Sequence, residues 1–255
     1  MPVKKNNKRL ILIALALGLL VCFYFILNKE VSINQGVNGK VSSIKMPLYV
    51  KLMDYWSRSN HYKLLAKRIT KDSETNTDKL VALHNWTASN IRPKPKGFPA
   101  LDDHVDNIII RGYGSDDQSA DVFTTLAAAA GFKGGIYLVK IYPEKNVHAI
   151  SIIEIDGRKL LFDTYFNFYF YNENGKIASL NEIRKNINLV KKVAKEFKLS
   201  NRFEYSRFYE NLKPVEKIGW TKADLQFPFN RFIYTLGRLL RISEPSGGFF
   251  GESYQ

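Results

Sequence analysis

The fold of this chain is decided by one stretch, Arg111-Gly-Tyr-Gly-Ser-Asp-Asp-Gln-Ser-Ala-Asp-Val-Phe-Thr-Thr-Leu-Ala-Ala-Ala-Ala-Gly131. Gly112 and Gly114 permit a tight or positive-φ turn because they lack a Cβ. Ser115 or Asp116 can cap a helix, since a short side-chain oxygen accepts hydrogen bonds from the free N–H groups of the first turn. Apolar residues follow at helical spacing and end at a glycine. The stretch therefore predicts a glycine-rich turn that leads into a buried helix.

Two strands are predicted downstream, and each carries a polar residue that can do chemistry. His148 lies in the alternating segment Asn-Val-His-Ala-Ile-Ser-Ile-Ile-Glu-Ile. Asp163 ends the segment Arg-Lys-Leu-Leu-Phe-Asp, which follows an Asp-Gly pair typical of a hairpin turn. These strands are expected to be neighbours in an antiparallel sheet.

In this order, the turn and the two strands resemble the transglutaminase-like (papain-related) superfamily, whose nucleophile turn reads Gly-x-Cys-Asp-Gln-x-x-Ala. The resemblance spans about residues 75–170. It implies a triad in which the histidine is the base and the aspartate orients its ring. Aligning Asp117 and Gln118 with the family's Asp-Gln puts Asp116 where the nucleophilic cysteine stands, while His148 and Asp163 match. The resemblance thus implies a degenerate triad of Asp116, His148 and Asp163, with supporting residues Gln118, Asp117 and Trp86.

Cysteine usage removes thiol chemistry from the predicted site. The single cysteine of the sequence is Cys22, which lies in the N-terminal apolar run. No other thiol is present to replace the missing nucleophile. Thiol-based transamidation or proteolysis is therefore not expected, and an intramolecular disulfide is impossible.

The N-terminal region predicts a membrane anchor. Four basic residues precede residue 10, and an uncharged apolar run extends from Leu10 to Leu27. Such a run nearly spans a bilayer with about 30 Å of hydrocarbon. The basic flank predicts a cytoplasmic N-terminus in an inner (cell) membrane, with the soluble part outside the cytoplasm. A cleaved signal peptide is the alternative, but the bulky residues at the end of the run favour an uncleaved single-pass anchor.

The remaining pattern predicts an α+β fold, with helices followed by an antiparallel β-meander in a transglutaminase-like or papain-like core behind one transmembrane helix. Helices are expected at 47–69, at 77–91 with a cap at Thr77 or Asp78, and at 116–130. Strands are expected at 135–142, 147–155, 159–164 and 166–171, and 92–99 is a proline-rich loop. The predicted segments are a basic tail (1–9), an anchor (10–28), a stalk (29–45), the core domain (46–175), a basic helical extension (176–242) and a flexible tail (243–255).

An acidic cluster suggests a second, weaker candidate site. Asp102, Asp103 and His104 precede a run of further acids at 106, 116, 117 and 121. Carboxylates with an imidazole suit a divalent metal ion. The favoured alternative is that these acids cap helices and pair with Arg92 and Arg111, since no dedicated ligand spacing is present. No cofactor is expected, and a divalent metal is kept as a hypothesis.

The C-terminal third is strongly basic. Residues 184–222 contain 11 Lys or Arg against 4 Glu. The segment Phe229–Ile242 has apolar residues on one face and arginines towards the other. Such helices bind anionic lipid surfaces, although a solvated face on a packed helix is the favoured interpretation. Nucleic acid is not an expected partner, because the charge is predicted to lie outside the cytoplasm.

Two functions follow from these observations. The first is a membrane-anchored, non-catalytic transglutaminase-like module in cell-envelope or surface-polysaccharide processes. It would bind a peptide, a cell-wall fragment, or an anionic lipid or surface polymer. The alternative is a hydrolase or transferase with altered chemistry, using Asp116 with His148 or a metal in the acidic cluster. The missing thiol favours the first hypothesis, and fold analogy alone does not decide between them.

Overall fold

The computed structural model describes residues 4–37, 40–98, 104–141, 146–194, 198–200, 203–215, 217–240, 242 and 249–250. Its helices are α1 (Lys4–Leu27), α2 (Leu48–Ile69), α3 (Asn76–Asn90), α4 (Val105–Arg111), α5 (Asp116–Ala129), α6 (Leu180–Lys185), α7 (Asn188–Ala194) and α8 (Pro228–Leu239). Its strands are β1 (Glu30–Val37), β2 (Lys40–Pro47), β3 (Arg92–Pro93), β4 (Tyr113–Gly114), β5 (Lys133–Ile141), β6 (Asn146–Ile155), β7 (Arg158–Asp163), β8 (Phe168–Tyr169), β9 (Lys198–Ser200), β10 (Phe203–Glu204) and β11 (Phe249–Phe250). Two 3-10 turns lie at Tyr205–Tyr209 and Asp224–Gln226.

The N-terminal helix is long and apolar enough to cross a membrane. Its segment Arg9–Leu27 has a mean hydropathy of 3.0, and none of it is buried against the rest of the described chain. The segment predicted as a stalk differs from the expectation, because β1 and β2 pair as an antiparallel hairpin from Glu30↔Pro47 to Val37↔Lys40. Both strands contain β-branched residues, such as Val31 and Ile33 in β1 and Val41 and Ile44 in β2, which favour extended pairing.

The central helix α5 packs against the sheet on one side and against other helices on the other. It contacts β5 and β6 as well as α2, α3 and α4. The alanines of α5 allow this packing on both sides of the helix, because their small side chains let neighbouring backbones approach closely. Phe123 and Leu126 are completely buried and join Leu80, Leu83 and Phe162 in one hydrophobic cluster. The prediction of a buried helix after the glycine-rich turn is confirmed.

A five-stranded sheet carries the second half of the core, in the order β11-β5-β6-β7-β8. Strands β5 to β8 are antiparallel neighbours, and Asp156 and Gly157 both have positive φ in the turn that joins β6 to β7. The predicted α+β class, with helices followed by an antiparallel meander, is confirmed. Residues 249–250 pair in parallel with Ile136 and Tyr137, and the flexible tail over 243–255 stays a prediction.

The segment predicted as a basic extension is part of the core. Its apolar residues join those of β5, β6 and β7 in a single cluster, which includes Ile183, Val190, Tyr205, Tyr209 and Ile218. The lysines and arginines whose burial the structure describes are exposed or half-buried, because charged groups are costly to bury. The high positive charge of this segment therefore did not indicate that its aromatic residues belong to the core.

Helix boundaries differ from the predictions in two informative places. Helix α3 is capped by Thr75, whose hydroxyl accepts a hydrogen bond from the Asp78 amide at 3.1 Å, rather than by Thr77 or Asp78. Asp78 instead completes the capping box by accepting from the Thr75 amide at 3.0 Å. Helix α4, which was not predicted, spans about two turns and begins directly after His104.

Candidate functional site

The glycine-rich turn positions the start of α5. Gly112 ends α4 in the left-handed region at φ 70°, and Gly114 lies so close to Gln118 that an added Cβ would be 2.9 Å from the Gln118 Cβ. Between them, β4 pairs in parallel with β3. The Gln118 Oε1 atom accepts hydrogen bonds from the Ser115 amide at 3.2 Å and from Arg111 Nη2 at 2.9 Å. The turn is thereby fixed with Asp116 as the first residue of the helix.

Three of the predicted site residues meet at this helix end. His148 Nδ1 lies 2.9 Å from Asp116 Oδ2, and His148 Nε2 lies 2.6 Å from Asp163 Oδ2. Asp116 Oδ2 also accepts a hydrogen bond from the Ala149 amide at 2.9 Å. Continuing the β6–β7 register places Asp163 opposite Ile150, two residues from His148 on the same face of the sheet. The structure thus brings Asp116, His148 and Asp163 together in one line of hydrogen bonds.

The two carboxylates determine the protonation of His148. Burial by itself would lower the pKa of this imidazole, but the negative charge of Asp163 and the hydrogen bonds to both aspartates raise the pKa of His148 to about 9. Burial would conversely raise the pKa of Asp116, but the bonds and charge from His148 and the backbone amides outweigh it and lower that pKa. His148 is therefore a buried imidazolium between two carboxylates at neutral pH.

Asp163 is held by more groups than the histidine alone. Its side chain has no exposed surface. The Tyr205 hydroxyl donates to Asp163 Oδ2 at 2.6 Å, the Tyr209 hydroxyl reaches the same oxygen at 3.4 Å, and the Phe166 amide donates to Oδ1 at 3.1 Å. Burial raises the pKa of both tyrosines well above the ordinary value, so their hydroxyls remain protonated donors. A buried carboxylate with this many donors is well satisfied.

Aromatic rings enclose the imidazole. The centroid of the His148 ring lies 4.8 Å from that of Phe208 and 5.1 Å from that of Phe166. Tyr165 is a more distant neighbour at 6.3 Å. This apolar surrounding strengthens the charge interactions of the triad, because the local dielectric constant is low.

A second histidine supports the site from behind. His84 on α3 is completely buried, and its Nε2 lies 3.3 Å from the backbone oxygen of Asp163. Burial lowers the pKa of His84, so this ring is neutral. The Ser119 hydroxyl donates to Thr164 Oγ1 at 3.0 Å and joins α5 to the end of β7. Both contacts fix the strand end on which Asp163 lies.

The predicted supporting residues have other positions. Gln118 is buried, and it stabilises the turn through hydrogen bonds with Arg111 and the Ser115 amide. Asp117 is exposed and accepts a hydrogen bond from the Ser115 hydroxyl. Trp86 is half-buried and packs against the helical hydrophobic cluster. Their functional roles therefore stay predictions, while their structural roles in the turn and core are clear.

The acidic cluster is distributed over several separate contacts. Asp106 pairs with His61 Nδ1 at 2.5 Å, Asp116 pairs with His148, and Asp121 pairs with Lys222 Nζ at 2.6 Å. In the part of the chain that the structure describes, no group of three or more His, Cys, Asp or Glu side chains could hold a metal ion. Asp102 and Asp103 lie outside the described residues, so the hypothesis of a metal site with His104 stays untested.

Sequence reasoning missed the aromatic half of the site. Tyr205, Phe208 and Tyr209 come from the 3-10 turn in the basic C-terminal segment. Phe208 and Tyr209 follow Tyr205 by three and four residues in a segment rich in lysine and arginine. Tyr205 lies 42 residues after Asp163 in the sequence. The alternation of aromatic and basic residues was the available signal, and it indicates a packed face as well as a charged one.

One family model matches part of this chain. Residues 63–161 match the family model described as the transglutaminase-like superfamily, a segment that contains the turn, α5, β5, β6 and most of β7. Among curated proteins, none matches the chain significantly. Similar solved structures include a proposed cysteine protease from Cytophaga hutchinsonii, with 17% identity over 49% of this chain and 42% of that chain and a TM-score of 0.39.

Two further solved structures have comparable similarity. One is a TGase, with 10% identity over 52% of this chain and 43% of that chain and a TM-score of 0.35. The other is LapG from Legionella pneumophila, with 13% identity over 48% of this chain and 74% of that chain and a TM-score of 0.30. The chain spans less than half the length of the first structures that it matches.

Proposed function

We propose that the protein is a membrane-anchored, non-catalytic member of the transglutaminase-like superfamily, whose family model matches residues 63–161. In this proposal it binds a ligand or partner in the cell envelope. In this proposal Asp116 takes the place of the nucleophilic cysteine. The triad then has a structural role, and it no longer has a chemical one.

The observation that carries the proposal is the engagement of both ring nitrogens of His148. A general base needs a nitrogen lone pair that faces its substrate. Here Nδ1 faces Asp116 and Nε2 faces Asp163, at 2.9 and 2.6 Å. With its pKa raised to about 9, the ring is protonated at both nitrogens near neutral pH and has no lone pair to offer.

Asp116 offers a physical reason why such a site would remain intact without catalysis. An active cysteine in this position would form a thiolate–imidazolium ion pair. A carboxylate at the start of α5 supplies the same negative charge without the nucleophilicity of sulfur, and the helix N-terminus stabilises that charge. The buried imidazolium keeps its partner, so the core around it stays folded.

The anchor and the site together suggest a ligand class. The helix α1 would hold the domain at a membrane surface, and a transglutaminase-like cleft binds peptide-like chains by family resemblance. We therefore place the protein in envelope or surface-polysaccharide processes, with a peptide, a cell-wall fragment or an anionic polymer as its ligand. The predicted sidedness, with residues after the anchor outside the cytoplasm, belongs to this proposal.

One observation keeps the altered-chemistry enzyme as a second candidate. The Asp116 side chain is 28% exposed, whereas His148 and Asp163 are buried. A substrate could therefore reach this carboxylate, which would act as a weak nucleophile or activate water. The lowered pKa of Asp116 reduces its basicity and argues against the second role.

The test replaces the carboxylate at position 116 with a thiol. In a Cys22→Ser background, Asp116→Cys should produce a thiol that iodoacetamide alkylates with a pH midpoint well below the free value of about 8.5, because His148 and the helix N-terminus favour the thiolate. Asp117→Cys is the matched control, since Asp117 lies one residue away, is exposed and accepts a hydrogen bond from the Ser115 hydroxyl. The unmodified chain should show no amidase or transamidase turnover.

Two outcomes would contradict the proposal. Amidase turnover by the unmodified chain that disappears in Asp116→Asn would establish the altered-chemistry enzyme. An Asp116→Cys thiol that titrates like the Asp117→Cys control would show that the site has no latent thiolate-stabilising geometry.

A further inference from the structure

An apolar stripe without a partner in the described structure runs along the first turns of α2. Its members are exposed and spaced by three or four residues, so they share one face of the helix: Tyr49, Leu52, Met53 and Trp56. Met53 is 68% exposed and Trp56 is 62% exposed. Soluble surfaces seldom present large apolar residues in such a contiguous array.

The stripe begins where the anchor ends. The Leu48 amide donates a hydrogen bond to the Lys29 carbonyl at 2.9 Å, which joins the start of α2 to the residue pair that follows α1. Helix α2 also contacts α1. At 1.5 Å per residue, Trp56 is only about 12 Å along α2 from this junction. When α1 crosses the bilayer, its C-terminal end lies at the bilayer surface. The stripe at the start of α2 therefore lies at that surface as well.

Helix α8 adds a second exposed apolar face beside the first. Phe229, Phe232 and Ile233 are exposed at helical spacing, with Phe229 72% and Phe232 65% exposed. The end of the preceding segment lies against α2, because Lys63 Nζ sits 5.8 Å from the centroid of the Phe227 ring. Lys63 is seven residues beyond Trp56, which places it on the same side of α2 as the stripe.

Basic residues flank both apolar faces. Lys63 and Lys67 continue the face of the α2 stripe, and Arg231 is exposed next to Phe232. Apolar side chains with neighbouring cations are the pattern of helices that lie in the interfacial region of a membrane, where the cations meet lipid phosphates. A docking surface for a soluble protein would not need to lie next to the membrane anchor, whereas a docking surface for lipid would.

We propose that the exposed faces of α2 and α8 form a membrane-docking surface, on which the domain lies against the same bilayer that α1 crosses. This inference rests on the proposed membrane anchor. The surface holds the domain in a fixed orientation, so that a ligand must reach the triad from a defined direction relative to the bilayer. Lipid with an anionic headgroup is the expected partner.

The test uses the full chain in phospholipid vesicles. Cys22 is the only cysteine, so Cys22→Ser gives a background for single spin labels at Met53→Cys and Phe232→Cys. Asn174→Cys, exposed in a turn that is separate from α2 and α8, is the aqueous control. The native Cys22 label reports the anchor itself. Accessibility of each label to oxygen and to a water-soluble nickel complex distinguishes lipid from water.

Immersed labels collide often with oxygen and rarely with nickel. The proposal predicts that the oxygen-to-nickel ratio at residues 53 and 232 exceeds that at residue 174 several-fold, and increases when phosphatidylglycerol is added to phosphatidylcholine vesicles. A water-like ratio at either position, with Cys22 immersed, would overturn the docking surface and leave the anchor intact. Low collision rates with both reagents would also overturn it, in favour of a second copy or a protein partner. A water-like Cys22 label would overturn the anchor as well.

Discussion

The carboxylate of Asp116 lies 2.9 Å from Nδ1 of His148 and at the same distance from the next amide along β6, that of Ala149. The aspartate is therefore inserted between the side chain and the backbone of one strand. It is held as an acceptor by two donors, and it closes the side of the imidazole that a catalytic base would turn to its substrate. The predictions on the two carboxylates and on the alkaline loss of stability follow from this charge pattern.

Removing either carboxylate should destabilise the fold, but to different extents. Asp163→Asn leaves a buried imidazolium without its fully buried partner, and we expect a loss of about 3–5 kcal/mol in the free energy of unfolding. Asp116→Asn should cost less, because the Asp116 side chain is 28% exposed and water can compensate in part. Denaturant unfolding of the detergent-solubilised chain measures both values. Equal losses would contradict the assigned roles.

The tyrosine hydroxyls should contribute unequally to the same carboxylate. Tyr205→Phe removes a 2.6 Å donor from Asp163, and we expect a loss of about 1–3 kcal/mol in the free energy of unfolding. Tyr209→Phe keeps an almost identical shape and removes a 3.4 Å contact with that oxygen together with the hydrogen bond to the Tyr205 hydroxyl. It leaves the 2.6 Å donor to Asp163 in place, so its loss should be smaller. Each variant is the shape-matched control of the other. A larger loss of stability in Tyr209→Phe than in Tyr205→Phe would contradict the assignment of Tyr205 as the main donor to Asp163.

Stability should fall at alkaline pH because of His148. Its pKa is raised from 6.5 to about 9 on folding, so the folded state binds more protons than the unfolded state between these values. The stabilising contribution is complete below about pH 6.5 and is lost as the pH rises through about 9. The melting temperature should decrease across this window. His148→Gln should lack this decrease, and a decrease of the same size in the variant would assign it to another group.

The carboxylate of Glu182 should contribute to the loss of stability at acid pH. Burial would raise the pKa of Glu182, but hydrogen bonds from Ser179, Asn172 and Arg158 lower that pKa to about 2. Because the folded pKa is below the ordinary value of 4.5, the contribution is present above that value and is lost as the pH falls towards 2. Glu182→Gln should flatten the acid limb of the melting-temperature profile. Glu173→Gln, an exposed glutamate nearby, should leave it unchanged.

The residues that sequence analysis identified are those whose spacing is local. The glycines at 112 and 114, the small residues of α5 and the alternation around His148 follow periods that one element enforces, and the structure has these elements near the predicted boundaries. The cap of α3 lies at Thr75, two residues before the first predicted position, Thr77. Several Thr and Asp residues within one turn are suitable caps, and their sequence does not decide between them.

The part that could not be predicted depends on contacts between distant segments. Tyr205 and Tyr209 meet Asp163 only after the C-terminal segment folds back over the sheet. Their basic neighbours indicated a surface, whereas the aromatic residues supply the core. His84 is buried on α3, and its bond to the Asp163 carbonyl depends on how α3 packs against β7. Charge and periodicity do not determine such packing.

The protonation state of His148 tests the central claim most directly. Nitrogen-15 NMR of the imidazole, assigned by comparison with His148→Gln, distinguishes a ring protonated at both nitrogens from a neutral tautomer. The account predicts that both nitrogens carry protons at pH 7 and that the ring titrates near pH 9. A neutral His148 at pH 7, with a midpoint near the ordinary value of 6.5 and one nitrogen free to accept a proton, would contradict it and restore a general base to the site.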